Sequence, residues 1–401
     1  MIILAALALP AALGMAAIAV EGGLWYADHH QLRNMADAAA LAAGWARREG
    51  KDELNASLAA IPPIGYDADT DEIELISPPS SGPYAGDTQA IEVIARRTRP
   101  VVMSALFVQE EDMDIEARAI VRLQTHSSAC VLVLDPTMAS AMYIVGTAAL
   151  NLTNCGITVN SNAPNAMTMV GTADVTDAWT EITGGLSMSG GAQLISPVPP
   201  DTGVIPREDP YKDLPMPATF GGCYKNNFSV NANATVTINP GRYCGGIMIN
   251  SKAKVTMNPG TYIIDGGDVN INGTSTVTGN GVAIVLSASG CDSATITVNG
   301  GANVSLTAPS TGTYKGLALV QDRNAHGVET SKLNGGSKMK IKGAMYFPAQ
   351  ALEFSGGDST GGSCTRIVAK SVKFTGNASL ADNCAGLGLP EGMPDDPQIV
   401  G

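Results

Sequence analysis

The sequence predicts a mainly β protein with an N-terminal hydrophobic α-helix, in which a small α/β unit is followed by a right-handed parallel β-helix. Three observations lead to this prediction: residues 1–20 carry no charge, short strands ending in Asn or Gly recur through residues 130–384, and all seven cysteines follow residue 129. The predicted domains are residues 1–50 (the helix), 51–126 (the α/β unit), 127–388 (the β-helix) and 389–401 (a C-terminal tail).

The composition limits the partners and the compartment. The chain of 401 residues has a formal net charge of −13 and no block of Lys and Arg. Nucleic acid is therefore not an expected partner, because its phosphates are bound by clustered cations. The 45 glycines exceed average usage and indicate many tight turns. The cysteines of the β region indicate disulfides, and therefore an oxidising compartment outside the cytoplasm.

The first 49 residues are predicted to form one long helix. At 1.5 Å per residue it measures on the order of 70 Å, and its first twenty residues are long enough to span a bilayer or to be buried among copies of themselves. A cleaved signal peptide is the less favoured interpretation, because no basic segment precedes the apolar run. The residues expected to act in assembly are Met1, Leu4, Leu7, Pro10, Leu13, Ile18, Glu21, Trp25, Leu32, Ala36, Ala39 and Ala43.

Two alternatives stay open along this helix. After Val20 the apolar residues follow three- and four-residue steps. This row packs either on the chain's own domain or on neighbouring helices, which small side chains allow to approach closely. Glu21 ends the apolar run. It either pairs with the α-amine of Met1 on a neighbouring copy or marks the point where the helix leaves lipid and meets water.

Residues 54–125 show the alternation of a small α/β unit. Strands are predicted at Asp71–Ile76, Gln89–Arg96 and Asp114–Leu123, because apolar residues there alternate with others. The pattern indicates no candidate site in this unit.

An internal repeat in residues 130–384 predicts the parallel β-helix. The segment Asn239-Pro-Gly-Arg-Tyr243 recurs nineteen residues later as Asn258-Pro-Gly-Thr-Tyr262. A period near twenty with short strands and Gly or Asn corners is typical of stacked coils. The stretch Ser196–Pro217 interrupts the pattern with seven prolines, which a central strand does not accept. It is therefore predicted to be an excursion from the β-helix or a strap along it.

The cysteine spacing fits stacked coils. Three pairs of cysteines are 20 to 25 residues apart, which is about one coil. Neighbouring strands lie ~4.8 Å apart, within the ~4.4–6.8 Å that the Cα atoms of a disulfide require. Fortuitous spacing and other connectivities stay open. The predicted bridges are Cys130–Cys155, Cys223–Cys244 and Cys364–Cys384, and Cys291 is left unpaired.

Motifs for catalysis or cofactor binding are absent. The sequence contains no CxxC, HExxH, P-loop or GxSxG pattern, so no catalytic residue, metal or cofactor is expected. The weak candidate for a metal is Ca²⁺ at Asp265 and Asp268, two carboxylates at a predicted corner. A glycan-active β-helix enzyme would need charged residues gathered on one face. The available group is Asp322, Arg323, His326 and Glu329, for which solvated loop residues are the favoured interpretation.

Two sets of residues resemble a known family. Residues 31–43, Gln-Leu-Arg-Asn-Met-Ala-Asp-Ala-Ala-Ala-Leu-Ala-Ala, follow a proline-containing apolar segment. They are similar to the N-terminal region of the TadE/TadG-like pilus-assembly proteins of bacterial tight-adherence (Tad/Flp) pilus systems. Residues 240–246, 259–267 and 343–348 resemble the β-repeat region of TadG-related proteins. The resemblance implies that residues 51–126 are pilin-like and that the chain has no enzyme activity.

The expected function is that of a structural pilin-like subunit of a bacterial extracellular filament, which assembles through its apolar helix and displays the β-helix for adhesion. The alternatives are a single-pass membrane-anchored accessory protein of Tad pilus assembly and a tethered β-helix glycan-active enzyme. The expected partners are copies of the chain in a helical homopolymer or other pilus components, with a host surface or glycan as a further target. The chain is expected in the inner membrane before assembly and at the cell surface afterwards.

Overall fold

The computed structural model describes residues 2–102, 112–123, 129–217, 222–288, 294–325, 329–334, 339–355, 358–381, 387 and 397–400. For residues 2–13, 17–18, 153, 358–363, 378–379, 381 and 398 it gives the backbone alone. The chain divides into two compact units, residues 1–125 with 393–401 and residues 126–392. The N-terminal helix, the α/β segment and the end of the tail, which the sequence analysis separated, thus belong to one unit.

The first unit packs helices on a four-stranded antiparallel sheet. Its elements are α1 (Ile2–Arg48), α2 (Glu53–Ala60), a 3₁₀ turn (Pro62–Ile64), β1 (Asp71–Ile76), β2 (Ala90–Pro100), β3 (Asp112–Arg122) and the C-terminal strand β29 (Gln398–Ile399). The sheet order is β1-β2-β3-β29. α2 begins where the Asp52 carboxylate accepts a hydrogen bond from the Asn55 N–H at 2.7 Å, an N-cap that satisfies one of the free donors of the first turn.

The second half of α1 forms the core of this unit together with the sheet. It packs on Val93, Ala95, Ala117, Ala119 and Val121 of β2 and β3. Small side chains on both surfaces allow a close approach. The helix residues that belong to this core are Leu32, Met35, Ala36, Ala39, Ala40 and Ala43.

The second unit is a parallel β-solenoid of about 10 turns between residues 131 and 374, which confirms the predicted parallel β-helix. The coils that precede the proline-rich stretch contain β4 (Ala129–Val133), β5 (Met142–Gly146), β6 (Ala149–Thr153), β7 (Gly156–Val159), β8 (Met167–Gly171), β9 (Asp174–Thr176), β10 (Thr180–Ile182), β11 (Leu186–Gly190) and β12 (Gln193–Ile195). The short β13 (Asp201–Thr202) lies within the stretch itself.

The remaining coils follow the proline-rich stretch. They contain β14 (Lys225–Val230), β15 (Thr235–Ile238), β16 (Gly241–Ile249), β17 (Lys254–Met257), β18 (Gly260–Asp265), β19 (Val269–Ile271), β20 (Thr276–Asn280), β21 (Val282–Leu286), β22 (Ile296–Val298), β23 (Asn303–Thr307), β24 (Leu317–Gln321), β25 (Thr330–Leu333), β26 (Lys340–Phe354), β27 (Asp358–Phe374) and β28 (Ala378–Ala381).

The coils do not stack in the order in which the chain makes them. Strand β4, which comes first, pairs with β27 on one side and with β7 on the other. Strands β5 and β6 likewise lie between β27 or β28 and the following coil. The first coil of the chain is therefore internal. The two ends of the solenoid are the coil β10–β12 and the coil β14–β15.

The repeated Asn-Pro-Gly-x-Tyr segment has a structural explanation. The buried hydroxyl of Tyr243 donates to the Asn239 carbonyl at 2.7 Å, and that of Tyr262 donates to the Asn258 carbonyl at 2.9 Å, four residues earlier in each case. The glycine of the second segment, Gly260, has φ 137°, a conformation that favours glycine. The Asn258 side chain also donates to the Asn239 side chain at 2.7 Å. Each segment thus turns a corner and anchors a core tyrosine.

The proline-rich stretch, residues 196–217, is a strap along the outside of the solenoid, which was one of the two predicted arrangements. Arg207 donates to Glu181 of β10 at 2.8 Å. Further along, the ring of Tyr211 lies 5.2 Å from that of Tyr346 in β26. Arg323, which follows β24, donates to the Tyr211 carbonyl at 2.9 Å. The strap thus runs from the coil β10–β12 past the later coils toward the opposite end.

Two of the three predicted disulfides are confirmed. Cys130 is bonded to Cys155, and Cys223 to Cys244, with Cα–Cα distances of 5.4 and 5.7 Å. Both join neighbouring coils. Cys364 is also disulfide-bonded, and its predicted partner Cys384 lies outside the described residues. Cys291 lies outside them as well.

Removing the bridge between the first two coils is expected to destabilise the second unit. In the chain-entropy model a loop of this length contributes about 3.5 kcal/mol, so the double variant Cys130→Ala/Cys155→Ala should lose this amount in the free energy of unfolding. Equilibrium urea denaturation followed by circular dichroism measures the loss. A double variant as stable as the oxidised parent would contradict a stabilising role for this bridge.

Candidate assembly surface on the N-terminal helix

One side of α1 is apolar and uncovered before the helix reaches the sheet. Between Met15 and His30 most residues are exposed, and Val20 and Leu24 remain 51% and 59% exposed. The exposed residues include a row at helical spacing, which we call the helix stripe: Ala16, Val20, Gly23, Leu24 and Ala27. Contiguous exposed apolar surface of this kind marks interaction sites.

The opposite side of the same segment is bound to the first unit. Glu21 is only 5% exposed, and its Oε1 accepts a hydrogen bond from the Val102 N–H at 2.7 Å. Neither alternative considered for Glu21 describes this contact, because the carboxylate binds the backbone just after β2 of its own chain. A buried carboxylate needs such a donor. The hydrogen bond from Val102 attaches α1 to the chain after β2 at Glu21.

A buried arginine network forms the second attachment. The Arg97 guanidinium, 3% exposed, donates to both oxygens of Asp71 at 2.5 and 2.7 Å. It also donates to Asp28 at 2.8 Å and to Gln31 at 2.9 Å, both on α1. Arg99 donates to Asp28 at 3.0 Å. One cation thus joins α1, β1 and β2.

The electrostatics of the network favour the charged forms. Burial raises the pKa of Asp28 and of Asp71. Hydrogen bonds from Arg99 and Arg97 to Asp28, and from Arg97 to Asp71, outweigh burial and hold both pKa values below their usual range. The network therefore stays ionised at neutral pH and holds α1 at a fixed angle to the sheet.

Apart from Glu21, the predicted assembly residues fall into three groups. Leu32, Ala36, Ala39 and Ala43 are buried against the unit's own sheet, which is the first of the two arrangements left open for this row. Trp25 is half-buried beside that core. Met1 is outside the described residues, and the side chains of Leu4, Leu7, Pro10, Leu13 and Ile18 are not described, so their roles stay predictions.

Sequence reasoning missed the arginine network. A signal was present, because Arg97 continues the alternation of Ile91, Val93 and Ala95, the buried face of β2. An arginine in that phase needs a carboxylate partner. Its partners Asp28 and Asp71 lie far from it in sequence, so spacing alone could not identify them.

Three of the candidate acids for metal binding and catalysis form contacts within the chain, and the candidate His326 lies outside the described residues. Asp265 forms an ion pair with Arg242, and Asp268 accepts hydrogen bonds from the N–H and hydroxyl of Thr295 at 2.8 Å. Within the described residues, no group of three or more His, Cys, Asp or Glu side chains could hold a metal ion. Asp322 accepts from the Asn324 N–H at 2.9 Å in a local turn.

The comparisons with known proteins concern the helix. Residues 1–46 match a family model described as "Tad: Putative Flp pilus-assembly TadE/G-like", which confirms the resemblance over that segment. No curated protein and no solved structure matches the chain. Within the described part of the chain, no helix has the length and hydropathy needed to cross a membrane.

Replacing the buried arginine is expected to destabilise the first unit. Arg97→Met leaves Asp71 buried without its cation, and Asp28 keeps Arg99 alone, so the variant should lose about 3–5 kcal/mol in the free energy of unfolding. Arg96→Met is the matched control, since Arg96 also contacts two acids, Glu74 and Glu116, but at the surface. Its loss should not exceed about 1 kcal/mol. Urea denaturation of both variants provides the measurement. Equal losses in the free energy of unfolding would contradict a stabilising role for the buried Arg97 network.

The same network predicts an acid-sensitive unit. Because the folded-state pKa values of Asp28 and Asp71 lie below the ordinary value of 3.8, their stabilising contribution is complete above that pH. It is lost as pH falls from 3.8 through the folded-state values. In Arg97→Met, Asp71 loses the cation that lowers its pKa while Asp28 keeps Arg99, so this acid-dependent loss of stability should shrink. Free energies of unfolding measured between pH 2.5 and 6, roughly spanning this window, test both statements.

Proposed function

We propose that the chain is a structural pilin-like subunit of a bacterial surface filament, located at the cell envelope and then outside the cell. Copies associate with one another or with other pilus components through α1, and the solenoid is displayed for surface attachment. The observation that carries the proposal is the helix stripe, an apolar surface within the segment that matches the Flp pilus-assembly family model. The proposal assigns no catalytic role to the chain.

The energetics of the stripe support association. Burying a large apolar side chain contributes about 1.5–3 kcal/mol, and Val20 and Leu24 both offer such a side chain. Gly23 and Ala27 lie beside them and permit close approach of a second helix. Since Glu21 and Asp28 are already bound within the first unit, the stripe can be buried without leaving these carboxylates unpaired.

A membrane-anchored accessory protein of pilus assembly is the second candidate. The family description favours it equally, since it names pilus assembly and not the filament itself. The two candidates differ in where the mature chain is found, so the location in cells distinguishes them.

A charge in the stripe is expected to prevent incorporation into filaments. Leu24→Asp places a carboxylate in the proposed contact, while the helix should remain folded because Leu24 is exposed. Leu54→Asp is the matched control, because Leu54 on α2 is a 46% exposed leucine of the same unit. Sheared surface filaments are imaged by negative-stain electron microscopy, and their subunits are quantified by mass spectrometry.

The expected result is that the parent and Leu54→Asp are present in the filaments and that Leu24→Asp is lost from them. Parent protein absent from sheared filaments, and recovered only from detergent-extracted membranes, would overturn the subunit proposal and favour the accessory role. Equal incorporation of both variants into filaments would show that the helix stripe is not part of the assembly surface.

A further inference from the structure

The solenoid has two open ends. Among the described residues, β11 pairs only with β8 and β12 only with β9. At the opposite end β14 pairs only with β16 and β15 only with β17. We call these the β12 end (residues 180–195) and the β14 end (residues 225–238). Each presents unpaired backbone donors and acceptors, which form a template for a further strand.

The apolar core is incompletely covered at both ends. Met188 lies in register with Met169, which is fully buried, yet Met188 is 49% exposed because no coil follows it. The partly buried residues that pack on the main apolar cluster of the solenoid all lie in the end coils: Leu186, Ala192 and Leu194 at the β12 end, and Phe228, Ala234 and Val236 at the β14 end. Each end therefore has apolar surface that another coil would bury.

The end strands lack most of the features that protect edges. Natural edge strands carry charges, prolines or bulges, or are covered. Strands β11, β12, β14 and β15 contain no proline and no acid, Lys225 is their one charged residue, and the one register irregularity lies between Asn226 and Phe228 of β14. The short β13 covers β10, so the open edges of the β12 end are β11 and β12.

The two ends carry opposite charge. Residues 123–206 contain five acids and no Lys or Arg, whereas residues 222–264 contain four cations and no acid. Glu181 and Arg242 form internal ion pairs. The exposed charges that remain near the ends are Asp174 and Asp201 on one side, and Lys225, Lys252 and Lys254 on the other.

The apolar register of the ends is also complementary. One face of the solenoid repeats an apolar-x-apolar pattern, in which Ser331 of β25 replaces one apolar residue. Its strands stay in register from β14 through β16, β19, β22, β25, β26, β27, β5 and β8 to β11. Along this face Ser229 of β14 and Ser187 of β11 occupy equivalent positions. Leu186-Ser-Met188 and Phe228-Ser-Val230 are thus the last and first members of one series.

We infer that the β12 end of one molecule binds the β14 end of a second copy of this chain, with β11 beside residues 228–230 and β12 beside β15. All coil-to-coil pairs within the solenoid are parallel, so the next copy continues the ladder in the same chain direction. The contact joins unlike surfaces and does not close on itself, which generates a linear series of solenoids. It involves the second unit and does not depend on the helix stripe.

A register-specific disulfide tests the contact directly. Two full-length variants are prepared, Ser187→Cys and Ser229→Cys, both with Cys291→Ser and with Leu24→Asp to remove association through α1. Both serines are exposed, and parallel neighbours lie ~4.8 Å apart, within the range of a disulfide. With oxidised glutathione as the oxidant, the mixture should yield a covalent dimer on non-reducing gels, and neither variant alone should.

Register and interface variants complete the experiment. Ser189→Cys mixed with Ser229→Cys should react far less, because it lies two residues out of register, about 6.6 Å further along the strand. Self-association is measured in the Leu24→Asp background as an increase of the sedimentation coefficient with concentration. Met188→Lys should abolish this increase, because it places a cation opposite the basic β14 end. The increase should be retained with Met138→Lys, since Met138 is equally exposed between β4 and β5.

Three results would overturn the inference. They are no covalent dimer in the mixture, a dimer from Ser187→Cys alone, which would mean that like ends meet, and unchanged self-association of Met188→Lys. Circular dichroism of every variant confirms that the coils are folded. Every variant carries Leu24→Asp, so the experiment tests the solenoid contact alone. A negative result here does not bear on the proposed filament role, and loss of filaments in Leu24→Asp does not bear on the solenoid contact.

Discussion

The pairing of the last coil on the first is the contact on which the second unit depends. Residues 367–369 lie beside residues 131–133 in parallel register, although most of the unit lies between them in sequence. Without this pairing the chain would form two short solenoids with four exposed ends, and with it only two ends remain. The strap is a consequence, because the chain must travel from β12 to β14 before the second set of coils begins. An extended proline-rich segment makes this connection, and within it the short β13 alone joins the ladder, beside β10.

The first unit depends on one buried cation in a comparable way. Arg97 holds α1, β1 and β2 together through carboxylates that come from distant parts of the sequence. Glu21 adds a contact further along the helix. With these attachments on one side, the apolar residues on the other side of α1 face outward at a fixed orientation. An apolar surface that is already ordered binds a partner more tightly, because an interface that must first be ordered loses conformational entropy on binding.

The sequence predicted the elements that have a local signature. The Asn-Pro-Gly-x-Tyr repeat and the cysteine spacing indicated stacked coils, because each coil contacts the next and its signals recur at one period. The proline content of residues 196–217 indicated the strap. The coil order could not be predicted, since no residue in β4 marks it as an internal strand and not an end strand. The Arg97 network was also missed, because its partners are joined only by the tertiary fold, and Glu21 was interpreted through neighbours and lipid while its partner lay on its own chain.

The two proposed contacts differ in what they can specify. Burial of the helix stripe is favourable but nearly non-directional, so it drives association while leaving the rotation of one copy about the helix weakly determined. A parallel ladder between solenoid ends admits one register, because a shift of one residue turns every inward side chain outward. The segregation of acids in residues 123–206 from cations in residues 222–264 further disfavours like-to-like contact. A chain that uses both contacts would gain its affinity from the helix and its orientation from the coils, so the exposed apolar helix and the open ends of the described solenoid would serve one assembly.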